Sequence, residues 1–195
     1  MTKIGITGGI GSGKSVVSKI LIAMNYPVYN SDKEAKHIIN ENPLVRNQLI
    51  ELFGEEVYIQ NELNRPFLAN IIFNDKVALE KVNNIVHPQV RLDFDIFCKN
   101  QNSKLVFNEA AILFETGSEK YYDKMILVTA DEELRINRVM NRDNILESDV
   151  RARMSEQWSD SKKTPLTDYV IMNNEREFLI SQVETMIKSI ESKIV

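Results

Sequence analysis

The 195 residues suffice for one α/β unit with insertions and are too few for two full domains. Apolar residues make up 43% and charged residues 27%, which supports a sizeable core and excludes general disorder. A net charge of −4 argues against a nucleic-acid binder, although a local cluster of Lys and Arg can still hold an anionic small molecule.

Residues 3–7 are β-prone and end in a glycine cluster. From Lys14 the apolar period becomes helical, through Val16, Val17, Ile20, Leu21 and Met24. The chain thus opens as strand, Gly-rich loop and helix. Residues 27–29 predict a second strand ending at Asn30, Ser31 and Asp32. Residues 32–102 read as mostly helical, with breaks at Pro43, Gly54, Pro66 and Pro88. Residues 105–107 predict a buried strand that ends at Asn108 and Glu109, and residues 125–129 predict another. A helix is expected over 132–140. Val150, Met154 and Trp158 recur every four residues and mark one helical face. Residues 159–167 read as a polar loop, 169–172 as a last strand, and 178–190 as a long amphipathic helix. Strands alternating with helices predict a parallel sheet covered on both faces, interrupted by helical excursions at 32–102 and 136–165.

Cys98 is the one cysteine, so no internal disulfide can form and the setting reads as cytosolic. No apolar run approaches the roughly 18 residues that span a bilayer. The expected localisation is cytoplasmic, with no membrane partner.

Residues 8–15, GGIGSGKS, fit G-x-x-x-x-G-K-[ST]. Glycines let backbone N–H groups turn inward as a nest for phosphate oxygens, and the following helix N-terminus favours the anion. Gly11, Ser12, Gly13, Lys14, Ser15 and Val16 are therefore the expected nucleotide-binding residues. Lys14 can reach the outer phosphates, and the Ser15 hydroxyl can ligate Mg²⁺. Asp32 lies just beyond the second strand. There it can accept a proton from an attacking hydroxyl, help order Mg²⁺, or cap the helix that follows. Arg138 and Arg142 share a helical face and can close over a triphosphate; Arg135, Arg151 and Arg153 read more simply as solvated charge. Glu109 ends a strand where a Walker-B-type acid would sit. His87, before Pro88, marks a helix boundary.

These residues together resemble the dephospho-coenzyme A kinase family, over nearly the whole chain. The shared segments are IGITGGIGSGKS at 4–15, Leu63-Asn64-Arg65, Phe73, His87-Pro88, Ile112-Leu113-Phe114-Glu115, Arg138, Arg142-Asp143, Gln157, and Asp168-Tyr169-Val170-Ile171 with Asn173. The resemblance implies a P-loop NTPase-type five-stranded parallel sheet. It divides the chain into a core at about 1–31, 103–135 and 166–195, a helical substrate-binding region at about 32–102, and a lid at about 136–165. It implies ATP with Mg²⁺, and phosphorylation of the ribose 3′-hydroxyl of dephospho-coenzyme A. Asp32 would stand near the accepting hydroxyl, Arg65 and His87 toward the substrate, and Arg138 and Arg142 in the lid. Asn30 stands where the family has the first acid of an Asp-Ala-Asp segment. The expected state is a monomer or weak homo-oligomer. Nucleoside-monophosphate and shikimate-type kinases share the loop and are the nearest alternatives. A nucleotide-dependent switch is the remaining class, but the Asn-Lys-x-Asp guanine signature is absent from the sequence.

Overall fold

A computed structural model of the chain describes residues 1–193, with Asn74 by its backbone alone. The last two residues of the core stretch 166–195 lie outside the described residues. Contacts divide the chain into two compact units: one of Met1–Tyr29 with the chain from Gln101 onward, the other of Asn30–Asn100.

In chain order the elements are β1 (Thr2–Thr7), α1 (Lys14–Ala23), β2 (Val28–Asn30), α2 (Ser31–Glu41), α3 (Pro43–Phe53), β3 (Tyr58–Ile59), β4 (Glu62–Leu63), α4 (Arg65–Asn74) and α5 (Lys76–Lys99). They continue as β5 (Leu105–Glu109), β6 (Lys124–Thr129), α6 (Glu132–Asp143), α7 (Glu147–Ser155), α8 (Asp160–Lys163), β7 (Tyr169–Met172) and α9 (Leu179–Glu191).

The first unit is built on a five-stranded sheet of order β2-β5-β1-β6-β7. β1 is central and pairs in parallel with β5 and β6, and β6 pairs in parallel with β7. Ile4, Ile6, Phe107, Ile126, Val128 and Ile171 on these strands pack with Val17 and Leu21 of α1 and with Val183, Met186, Ile187 and Ile190 of α9. Near-continuous apolar runs are what a sheet buried on both faces requires. At the β7 edge, the Gln182 amide accepts from the Met172 N–H and donates to its C=O, each at 2.9 Å, which closes that end to further strand pairing. Asp168 ties the start of β7 to β6. Burial opposes its charge, but the Lys124 ammonium at 2.8 Å and the Met125 N–H at 2.8 Å prevail and hold its carboxyl below the usual range.

In the second unit α2, α3 and α4 pack on α5. Of the four expected breaks, Pro43 and Pro66 start α3 and α4, where a missing N–H costs nothing, and Gly54 ends α3. Pro88 is different. α5 runs through it from Lys76 to Lys99, so the expected boundary at His87 does not form. A proline inside a helix costs about 3 kcal/mol. Ala78, Val82, Val86, Val90, Phe94 and Cys98 form one buried stripe across it, and each large apolar side chain returns about 1.5–3 kcal/mol. The stripe wins. The hairpin β3–β4 was not expected in a region that reads as helical. Its turn residues, Gln60 and Asn61, have φ of 50° and 67°, so the turn is built without glycine.

Two expectations near the C-terminal third also change. α7 ends at Ser155, so Val150 and Met154 pack on α6 while Trp158 lies past the helix and packs beside Phe114. The stretch 159–167 is no plain loop; it holds α8 and a 3₁₀ turn at Thr164–Leu166.

Candidate active site

β1 delivers the chain into the loop 8–15, and α1 starts at its end. Gly11 and Gly13 have φ of 79° and 94°. Their neighbours add a second constraint. A Cβ on Gly11 would stand 2.5 Å from the Arg135 carbonyl oxygen, and one on Gly13 would collide with the Asn173 amide. Gly13 is also the N-cap of α1 and offers no side-chain cap, which suits the helix start to an external anion. The Lys14 side chain folds back into the loop, where Nζ donates to the Gly8 and Gly9 carbonyls at 2.7 and 3.3 Å. It is 8% exposed. Ser12 Oγ is buried with no hydrogen-bond partner among the described residues. Ser15 and Val16 are exposed on the first turn of α1.

Four side chains brace this loop from outside. Arg135, almost buried, donates from Nε to the Ile10 carbonyl at 3.0 Å and from Nη1 to Asp160 at 3.2 Å. Gln157 accepts from the Ile10 N–H at 2.8 Å. Asn173, just past β7, donates to the Ser12 carbonyl at 2.9 Å. Arg138 donates to the Gly11 carbonyl at 3.4 Å, to the Asn173 carbonyl at 3.0 Å, and to Glu175 at 2.8 Å. The reading of Arg135 as solvated charge is therefore wrong: its guanidinium is consumed in holding Ile10.

Arg138 and Arg142 share a helix but not their partners. Arg138 is 25% exposed and reaches the loop. Arg142 is 62% exposed and turns to Asp143, donating from Nε and Nη2 at 2.7 and 3.0 Å. That bond, the nearby guanidinium charge and Arg153 hold the Asp143 carboxyl below the usual range. Removing an exposed pair of this kind costs little, because solvent screens it. Arg142→Ala is thus expected to leave the melting temperature within about 4 °C of wild type, since a chain this size shifts roughly 2–4 °C per kcal/mol. Arg138→Ala strips a partner from two carbonyls and is expected to melt several degrees lower and to bind ADP more weakly. Differential scanning fluorimetry with and without ADP checks both.

Glu109 is the last residue of β5, buried, and in register with Ile6 one residue before the end of β1. The expected strand-end acid is there. In the second unit, Asp32 lies exposed on the first turn of α2. It is not the cap. Asn30 is, its Oδ1 accepting from the Lys33 N–H at 2.8 Å. The residue that departs from the family's acidic pattern is thus the one the helix start uses. Arg65 opens α4, exposed, with no hydrogen-bond or ion-pair partner for its side chain among the described residues. His87 is half-buried in mid-α5; burial, and then the charge of Arg91, lower its pKa.

Asn173, Asp160 and Gln157 carried no assigned role from sequence reasoning. Gln157 and Asn173 did fall in the resembling segments. Asp160 gave no signal, since its partners are Thr129 and Arg135, 31 and 25 residues away.

The residues present fit a nucleoside triphosphate. The backbone comes close where a Cβ would obstruct, a buried hydroxyl lacks a partner, and an ammonium sits inside the ring of the loop. Ser15 presents an exposed hydroxyl on the first turn of α1, and Glu109 ends β5, the strand beside β1. A central parallel strand, this loop and the helix that starts there define the core of a P-loop kinase.

The family model for dephospho-CoA kinase matches residues 2–177. The dephospho-CoA kinase of Porphyromonas gingivalis is 40% identical over 99% of this chain and 96% of its own length. That of Bacteroides fragilis is 39% identical over 98% and 94%. The crystal structure of TT1252 from Thermus thermophilus superposes with a TM-score of 0.86 at 32% identity, covering 100% of this chain and 98% of the other. The chain belongs to the dephospho-CoA kinase family. No helix among the described residues is long and apolar enough to cross a membrane.

Proposed function

We infer that this chain uses ATP to phosphorylate the ribose 3′-hydroxyl of dephospho-coenzyme A, giving coenzyme A and ADP, the final step of coenzyme A biosynthesis. One observation carries this reading: the family match runs from residue 2 to residue 177, through both the phosphate loop and the whole of the unit Asn30–Asn100. The loop alone supports phosphoryl transfer to many acceptors.

Gly11, Ser12, Gly13, Lys14, Ser15 and Val16 hold the triphosphate, with the Lys14 ammonium against its outer phosphates. When bound at the Ser15 hydroxyl, Mg²⁺ supplies charge neutralisation for the transferring group. Asp32, a first-turn carboxylate that the helix does not use as its cap, takes the proton of the accepting hydroxyl. Arg65 and His87 bind the acceptor. The free fork of Arg65 suits an acidic group on it. Arg138 and Arg142 belong to a lid at about 136–165 and stabilise charge on the transferring phosphoryl group. The core comprises about 1–31, 103–135 and 166–195, and the acceptor region about 32–102. The reaction takes place in the cytoplasm.

An acceptor panel tests the reading. ADP release should rise with dephospho-coenzyme A and stay at background with AMP, CMP or shikimate. Stimulation by any of those three, and none by dephospho-coenzyme A, would move the chain to another kinase class.

A further inference from the structure

The phosphate loop closes its own turn, the Ser12 N–H donating to the Gly9 carbonyl at 3.2 Å, but the polar groups at its tip are held from outside. At Ile10 the backbone N–H donates to Gln157 Oε1 at 2.8 Å, and the carbonyl accepts from Arg135 Nε at 3.0 Å. Both polar groups of one loop residue are therefore taken by side chains 147 and 125 positions away. Arg135 is in turn aimed by Asp160, whose Oδ2 accepts from Arg135 Nη1 at 3.2 Å and from the Thr129 hydroxyl at the end of β6.

The segment that carries Gln157 and Asp160 is itself fastened to the sheet. The Trp158 N–H donates to Glu115 Oε1 at 2.9 Å. Lys163, fully buried, pairs with the same oxygen at 2.7 Å. A buried ion pair of this kind is costly to break from one side only, so it fixes the segment's place. Trp158 packs against the cluster of Ala110, Leu113, Phe114 and Met125 behind it. Seven residues, 157–163, thus meet the loop at Ile10, the end of β6 at Thr129 and the turn after β5 at Glu115.

We propose that Gln157 and Asp160 are positioning residues for phosphoryl transfer. Gln157 acts through the Ile10 N–H, and Asp160 acts through Arg135 on the Ile10 carbonyl. Together they hold the first half of the phosphate loop in its nucleotide-binding shape. The chemical reason is preorganisation. Backbone donors help a polyanion only if they are already aimed, because turning them on binding is paid from affinity. It also follows that residues 157–163, though within the stretch at about 136–165, belong with the loop's support.

The proposal rests on the loop being the nucleotide site, and its test separates the two. Mg²⁺-ADP binding is measured by calorimetry on wild type, Gln157→Met, Asp160→Leu and Asp160→Asn, with melting temperatures and with KM for ATP and kcat measured separately. Gln157→Met keeps the side chain's length and loses its acceptor. Asp160→Asn keeps an oxygen for Thr129 and Arg135, and Asp160→Leu does not. The expected result is an ADP Kd raised about tenfold in Gln157→Met and Asp160→Leu. KM for ATP should rise with it, more than kcat falls. Asp160→Asn should stay within about threefold of wild type. Wild-type affinity in Gln157→Met, or an Asp160→Asn protein no better than a folded Asp160→Leu one, overturns the assignment. If Asp160→Leu does not fold, Gln157→Met decides alone. Wild-type protein that fails to bind ADP would instead overturn the loop's reading as a nucleotide site, and binding needs no acceptor, so the result does not depend on which acceptor is phosphorylated.

Discussion

Lys14→Ala is expected to lose turnover by about a hundredfold or more, the scale seen when a single preorganised donor to developing charge is removed. The competing explanation is that the loop simply unfolds, and magnitudes separate the two. Lys14 Nζ bonds the Gly8 and Gly9 carbonyls; deleting it takes this donor from the buried Gly8 carbonyl, while Gly9 keeps the Ser12 N–H, at a cost of about 1–3 kcal/mol. For a chain of 195 residues that lowers the melting point by roughly 2–12 °C, which leaves the protein folded at 25 °C. A folded population cannot explain a hundredfold loss. Steady-state rates measured beside a melting curve make the comparison. Near-normal turnover in a folded Lys14→Ala protein would remove the loop from the chemistry.

Asp32→Asn is the second large effect. The rate of phosphoryl transfer should fall by about 10²–10⁴, the usual span for a lost general base. ADP affinity should change by less than about threefold, because the carboxylate is assigned to the acceptor and not to the nucleotide. Asn30 already caps α2, and what Asp32 adds to the helix start is its charge against the dipole, about 0.3–1 kcal/mol. A drop in melting temperature with an unchanged rate would make Asp32 a structural residue of α2. Stopped-flow or quenched-flow transfer from ATP, with the ADP Kd and the melting temperature measured on the same preparation, gives all three quantities.

The opening strand, loop and helix were legible because three independent signals coincide there: a β-prone run, a glycine cluster, and a switch of apolar period at Lys14. The order of strands along the chain was legible for the same reason, since buried strands read as short apolar runs between polar breaks. Pro88 was not. A local rule says that proline ends a helix, and only the tertiary burial of Val86 and Val90 on either side shows why α5 continues. The hairpin at 58–63 escaped because its left-handed turn residues are Gln60 and Asn61, and a missing glycine removes the signal that a turn of that kind sends. Trp158 kept the helical spacing of Val150 and Met154 after the helix had ended, so period alone misplaced it.

The site divides in the same way. Lys14, Ser15 and the glycines are legible because their chemistry is written into eight consecutive residues. Arg138 and Arg142 are indistinguishable by spacing, four apart on one helix. They separate only once one is seen against the Gly11 and Asn173 carbonyls and the other against Asp143. Arg135 looked like solvated charge because nothing local reveals a partner 125 residues away. Asn30 is the reverse case. As a departure from an acidic pattern it reads as a loss to the site, yet the structure uses it to cap α2, with Asp32 on the helix's first turn.

The central claim is a transfer to one acceptor, and mass spectrometry tests it directly. Dephospho-coenzyme A incubated with the protein, Mg²⁺ and ATP should gain a single phosphate on its ribose, with ADP formed in equal amount and no gain when Lys14→Ala replaces the wild type. Dephospho-coenzyme A recovered unchanged from active protein that converts ATP to ADP with another acceptor would contradict the account.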